Sequence, residues 1–168
     1  MINLVSDLKD KTLLKEEDFF SDLLLSAIDI VPEADYGIIC IINEDNNCKF
    51  IDTVGHNLEI LKDIKINKES LFNYKDKGIY CTKEYFINLN NLSTVKKQKL
   101  LKGLKPIKNS LYINITVSEK VVGRIALDIK KKSNKEFSDT TKKIMKSFST
   151  LTSSFYAFKR FDELKTNF

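Results

Sequence analysis

The sequence predicts an α+β domain built on a mainly antiparallel sheet, and three observations carry that expectation. Leu111, Ile113, Ile115 and Val117 alternate with Ser110, Tyr112, Asn114 and Thr116, the period-two pattern of a strand with two unlike faces. A second β-rich run, Val121 to Ile129, follows a short polar turn at Ser118-Glu119-Lys120, so the two runs form an antiparallel hairpin at the centre of a sheet. Apolar residues at helical spacing mark both ends of the chain, which places helices in a layer of their own beside the sheet.

The first helix comes from Lys15 to Val31, where Phe19, Phe20, Leu23, Leu24, Ala27, Ile28 and Val31 recur at three- and four-residue steps. Pro32 stops it, because the residue before a proline is pushed out of helical geometry. Upstream, Ile2, Leu4, Val5 and Leu8 fit either a short extra helix or a leader. Tyr36 to Ile42 reads YGIICII, a continuous apolar run of strand length that predicts burial on both faces, and a polar hairpin turn follows it. Cys48 to Val54 returns as a weaker strand ending at Gly55, and His56-Asn57 supplies a turn and a cap for a helix over Leu58 to Lys62.

Between Asp63 and Asn91 neither helical nor strand period holds for long, so short strands and loops are expected, of the kind that serve as a lid or binding loop. Ser93 caps a short lysine-rich helix that Gly103 and Pro106 end. After the hairpin, Lys130, Lys131 and Lys132 read as a solvated turn, and Ser138 caps the last helix with Asp139 in its first turn. Along that helix Ile144, Phe148, Leu151, Phe155 and Phe158 repeat at steps of four, three, four and three, and Phe161, Leu164 and Phe168 continue the series. The first half of this stripe fits either the domain's own sheet or a partner; from Phe158 onward a partner is the expectation.

Composition narrows the function. The chain of 168 residues is 42% hydrophobic, enough for one core, and its net charge of +5 comes almost entirely from lysine because Arg124 and Arg160 are the only arginines. Recognition of phosphate or guanine favours the forked guanidinium, so nucleic acid is not the expected partner. Three cysteines, Cys40, Cys48 and Cys81, are widely spaced, with no CxxC pair and no neighbouring histidine, and indicate neither a disulfide framework nor a metal site. No signal peptide or membrane span is read, and a cytoplasmic chain with reduced thiols is expected.

The run from Ala27 through IDIVPEADYGIICIINEDNNCKFIDTVGHN, the VVGRIALDI strand and the FSDTTKKIMKSFSTLTSSFYAFKR helix resemble the corresponding parts of a bacterial GAF domain. The resemblance covers residues 14–160, with 1–13 as the leader or short helix and 161–168 continuing the closing helix toward a linker. It implies a sheet of about six strands, the N- and C-terminal helices on one face, and a ligand pocket under loops and short helices on the other. It also implies a regulatory role as a homodimer coupled through the terminal helices to an output domain, often a cyclic di-GMP enzyme or a kinase. The specialised branches fit poorly. Cys81 is followed by Thr82-Lys83-Glu84 and not by the histidine common at bilin sites, the cyclic-nucleotide signature is missing, and the cysteines are not grouped as in free-methionine sulfoxide reductases.

With the aliphatic side of the hairpin under the helices, Tyr112, Asn114 and Thr116 point into the pocket, where a few hydrogen-bonding groups on an apolar wall orient a small ligand. The alternative is that they face water or a covering loop. Tyr80 and Tyr85, with Tyr74 and Phe86, either wall the pocket or belong to ordinary core. His56, the only histidine, is counted with the ligand-binding residues; no serine or cysteine motif accompanies it, so a turn or cap role fits it better than acid-base catalysis. Arg124 and Asp128 share a strand face with Val122 and Ala126 and are expected to form an ion pair or meet solvent. The leading reading is a sensor of an unidentified small molecule, non-enzymatic and without an assigned cofactor or metal. The alternatives are a dimerisation module whose pocket is filled by its own side chains, and a small redox enzyme using Cys48 or Cys81.

Overall fold

The computed structural model describes residues 4–76 and 78–166, with side chains for 17–76 and 78–159. The elements, in chain order, are α1 (Leu4–Ile30), β1 (Tyr36–Ile42), β2 (Asn47–Val54), α2 (Leu58–Leu61), β3 (Ile66–Asn67), β4 (Ile79–Thr82), α3 (Thr94–Gly103), β5 (Ile107–Val117), β6 (Lys120–Lys130) and α4 (Asp139–Thr166). Six strands form one sheet in the order β3-β2-β1-β6-β5-β4, antiparallel at every pairing. The expected fold class is the one observed, with β6 of the hairpin at the centre of the sheet. The backbone of α1 is helical from Leu4, so Leu4, Val5 and Leu8 belong to the same helix as Phe19 and Leu24. The side chains of Ile2, Leu4, Val5 and Leu8 lie outside the described residues.

The alternation in the hairpin sorts two cores. Leu111, Ile113, Ile115, Ile125, Leu127 and Ile129 face Phe20, Leu24, Ala27 and Val31 of the first helix segment and Met145 and Tyr156 of α4. On the other face Tyr112, Ala126, Ile38, Cys40, Cys48 and Phe50 meet Leu61, Leu71, Phe86, Leu100 and Leu104 from the short helices and loops. The two terminal helices run antiparallel on their face. Phe20 touches Tyr156 at 5.3 Å between ring centroids, Lys159 lies over the Phe19 ring at 4.5 Å, and Glu33 just after α1 reaches the first turn of α4. There Ser138 caps the helix, accepting from the Thr141 N–H at 3.0 Å, while the Thr141 hydroxyl and the Ser138 N–H both donate to the Glu33 carboxylate. Burial opposes the Glu33 charge, and these hydrogen bonds outweigh it, holding the carboxyl below its usual value.

The stripe on α4 is not the face that docks. Thr141, Met145, Thr152 and Tyr156 are buried and Phe148 is half-buried, whereas Ile144, Leu151, Phe155 and Phe158 are 39%, 57%, 59% and 71% exposed. Four of the five stripe residues thus stand outside the contact with the sheet, and Phe148 packs against its core. The side chains of Phe161, Leu164 and Phe168 lie outside the described residues.

Two details fix the hairpin. Its loop is only Ser118 and Glu119, with Val117 paired to Lys120 and both loop residues at positive φ, 50° and 67°, the mirror-image turn that matches strand twist and normally carries Asn-Gly. Ser118→Asn with Glu119→Gly is therefore expected to raise stability by about 1 kcal/mol, read as a higher denaturant midpoint at unchanged slope; an unchanged midpoint would show that this turn carries no strain. Beyond the loop, Thr116 pairs with Val121 but Ile115 pairs with Gly123, so Val122 is the extra residue of a β-bulge. The bulge turns Val122 toward the helix-side core, apart from the Ala126 face that simple alternation assigns to it.

Candidate functional site

The loop face of the sheet is organised in cross-strand rows. Cys40, Arg124 and Asn114 stand side by side in one; Ile38, Ala126 and Tyr112 in the next; Tyr36, Asp128 and Ser110 in the third. Arg124 is 1% exposed, and this corrects the expectation of solvent exposure or a pair with Asp128. Its Nε donates to Asn114 Oδ1 at 2.8 Å, its Nη1 to the Phe86 carbonyl at 3.3 Å, and the guanidinium lies 4.5 Å from the Tyr112 ring centroid and 5.7 Å from that of Phe86. All of these partners are neutral. Nη2 is buried with no hydrogen-bond partner among the described residues. Burial pulls the guanidinium below its ordinary value, but an arginine remains charged at neutral pH.

Asn114 joins this face to the loop above it. Its Nδ2 donates to the carbonyls of Asn73 (2.9 Å) and Asp76 (2.6 Å), Asn73 Nδ2 donates to the Tyr112 hydroxyl at 2.8 Å, and the Tyr80 hydroxyl donates to Asp76 Oδ2 at 3.1 Å. Asn73 sits at φ 55°, a left-handed conformation that asparagine tolerates. Tyr80 and Tyr112 stack at 5.4 Å, and burial raises both hydroxyls above their usual value, so both keep their protons.

Asn114 also reaches α4. Strand β4 covers β5 only as far as Ile113, and past that point two helix serines take over the exposed edge: the Ser149 hydroxyl donates to the Asn114 carbonyl at 3.1 Å, and the Thr116 N–H donates to Ser153 Oγ at 3.1 Å. A groove of about 300 Å³ opens there, lined by Gly78, Asn114, Thr116, Lys146, Ser149 and Ser153 among others.

Of the six residues marked from sequence, the structure brings together Tyr112, Asn114 and Tyr80, with Thr116 at the margin in the groove. Tyr85 stands apart, its hydroxyl donating to the Lys105 carbonyl at 2.7 Å, and lines a separate cavity of about 310 Å³ with Phe72, Ile87 and Asn88. His56 is also apart, and buried. The Lys105 N–H donates to its Nδ1 at 3.0 Å, so the ring hydrogen is on Nε2 and is donated to Asp128 Oδ2 at 2.8 Å. The ring packs 5.1 Å from Tyr36, and Gly55 at φ +83° holds the turn against it; a Cβ there would fall 2.3 Å from Tyr36 Cδ1. Asp128 is thus buried and paired with His56, not with Arg124 as the sequence allowed.

Sequence reasoning missed Arg124, Asn73 and Asp76 as members of the cluster. The usable signal was that Arg124 is one of only two arginines among 28 basic residues, placed where a strand face alternates inward. Among the described residues no group of His, Cys, Asp and Glu could hold a metal ion, and no helix is long and apolar enough to cross a membrane.

Terminal helices on one face of a six-stranded antiparallel sheet, with short helices and loops over the other, define a layered α+β fold. Solved structures identify which fold. No family model and no curated protein matches the sequence. The chain is similar in structure to the GAF domain/HD domain protein of Geobacter sulfurreducens (TM-score 0.65, 11% identity, 86% of this chain and 94% of that one). It is similar also to the blue-light absorbing PixJ GAF domain of Thermosynechococcus elongatus (0.67, 12%, 93% of each) and to the GAF domain of an Acinetobacter phosphoenolpyruvate-protein phosphotransferase (0.61, 14%, 95% and 96%). The chain has the GAF-domain fold.

Proposed function

We propose that this chain is a small-molecule-sensing regulatory module, a cytoplasmic homodimer in which the loop face takes a ligand and the terminal helices carry the response to an output domain such as a cyclic di-GMP enzyme or a kinase. The observation that carries the reading is Asn114: its side chain holds the loop at Asn73 and Asp76, and its own carbonyl is held by Ser149 of α4. A ligand that repositions the loop acts on a residue already bonded to the helix, so differential affinity for two loop positions shifts the helix as well. The neighbour from Geobacter sulfurreducens is named for a GAF and an HD domain in one protein, the kind of arrangement this reading requires. The outward stripe Ile144, Leu151, Phe155 and Phe158 supports a second copy as the partner of α4.

A metabolite library screened by thermal melting tests the sensor. A ligand that binds only the folded state must raise the melting temperature with its concentration, and a library without a single saturable shift would contradict it.

A second reading, a dimerisation module with a filled pocket, has its own support in the complete burial of Tyr112 and the Arg124 side chain packed against it. The redox reading has little. Cys40 and Cys48 are buried, a hydrogen bond with Cys40 and then burial push the Cys48 thiol well up, and partial burial also raises the exposed Cys81, so no activated thiolate is supplied.

A further inference from the structure

Arg124 is a whole positive charge taken out of water with no carboxylate among the described residues bonded to it. Its hydrogen-bond acceptors are an amide oxygen and a main-chain carbonyl, and the groups otherwise around it are Tyr112, Tyr80, Phe86, Cys40 and Cys48. Burying an ion in this way costs several kcal/mol unless an opposite charge offsets it. One guanidinium nitrogen, Nη2, has no acceptor among the described residues. The guanidinium lies over the Tyr112 ring, whose hydroxyl accepts from Asn73 and has no acceptor for its own hydrogen among the described residues. Two donors without acceptors and one charge without a counter-charge define what is missing.

We propose that the ligand of this face is a small carboxylate, whose oxygens accept from Arg124 Nη2 and the Tyr112 hydroxyl. The inference rests on the sensor reading above and names the chemical class of its ligand. A single negative charge matches the single guanidinium, whereas a phosphate near dianionic charge would leave an excess. The rings of Tyr112 and Phe86 pack against the guanidinium and Tyr80 stacks on Tyr112, so the carbon chain of a short organic acid would meet aromatic neighbours there. The way in is past Asn73, whose exposed side chain covers the Tyr112 hydroxyl and whose carbonyl is held by Asn114. Binding therefore breaks a contact of the residue that is bonded to α4, which joins occupancy to the helix.

The test is thermal melting of the full chain at constant ionic strength with the monoanions acetate, pyruvate and lactate, and with inorganic phosphate and the neutral acetamide. At least one carboxylate is expected to raise the wild-type melting temperature saturably, by about 5 °C or more at a hundred times its Kd, with phosphate and acetamide inactive. Arg124→Met abolishes the shift; because it also strips the donors from Asn114 Oδ1 and the Phe86 carbonyl, Arg124→Lys and Tyr112→Phe serve as the milder variants. Arg124→Lys keeps part of the response, and Tyr112→Phe weakens it about tenfold through one lost hydrogen bond.

A carboxylate shift that survives in Arg124→Met overturns the proposal, as does a panel without any shift. A neutral metabolite that stabilises wild type and Arg124→Met equally overturns the carboxylate assignment while leaving the sensor reading standing. Silence across the whole metabolite library overturns both.

Discussion

Replacing His56 by alanine is expected to cost about 2–4 kcal/mol of folding stability, one of the two largest effects anticipated in this chain. Asp128 is 1% exposed, and its Oδ1 already lacks a partner, so the His56 Nε2–H is the one hydrogen bond its side chain receives among the described residues. Without the imidazole the carboxylate must stay charged in an apolar setting or take up a proton, and either course costs free energy. The substitution also strips the acceptor from the Lys105 N–H and leaves a gap beside Tyr36. Asp128→Asn removes the charge but keeps an oxygen for the same hydrogen bond, and should cost much less. Equilibrium denaturation of the two variants decides this; equal losses would mean that packing around the ring, and not the buried charge, sets the stability there.

Leu151→Glu together with Phe155→Glu is expected to turn a dimer into a monomer while leaving the fold intact. These side chains are more than half exposed and lie on α4 to one side of the residues that dock on the sheet, outside the domain's own core. Burying a leucine and a phenylalanine against a second copy contributes roughly 1.5–3 kcal/mol each per subunit. Two carboxylates in the same place reverse the sign of that contribution. Sedimentation should give the wild type twice the 19.4 kDa chain mass and the variant once, with matching far-UV spectra. A wild type that is monomeric at micromolar concentration, or a variant that remains dimeric, would show that this stripe is not the interface.

What the sequence disclosed depended on whether local pattern and tertiary demand agreed. In the hairpin they did, because a strict period of two allows only one division into faces, and the aliphatic one docks both helices. The cap residues Asn57, Ser93 and Ser138 were legible for a similar reason, since each acts on backbone within a few positions of itself. On α4 the pattern misled: most of the apolar stripe marks an exposed face, while the docking face is made of Thr141, Met145, Thr152 and Tyr156, whose periodicity is chemically mixed.

The middle of the chain had no readable period because its order comes from asparagine side chains turning the backbone at Asn67 and Asn88 and from distant partners such as Asn114. The opposition of Asn114 and Arg124 was out of reach for another reason. Counting back from the two-residue loop sets Asn114 against Gly123, and only the bulge at Val122 moves Arg124 into place. Finally, arginine is so regularly a surface residue that its burial here runs against every compositional prior.

The most direct measurement is amide hydrogen exchange along the chain with and without a saturating ligand from the melting screen. The account predicts altered protection both at Asn73 to Asp76 and on α4 around Ser149 to Ser153, because Asn114 is bonded to both. A bound ligand that protects residues between the terminal helices and the aliphatic face, or that changes the loop while α4 exchanges as before, would contradict it.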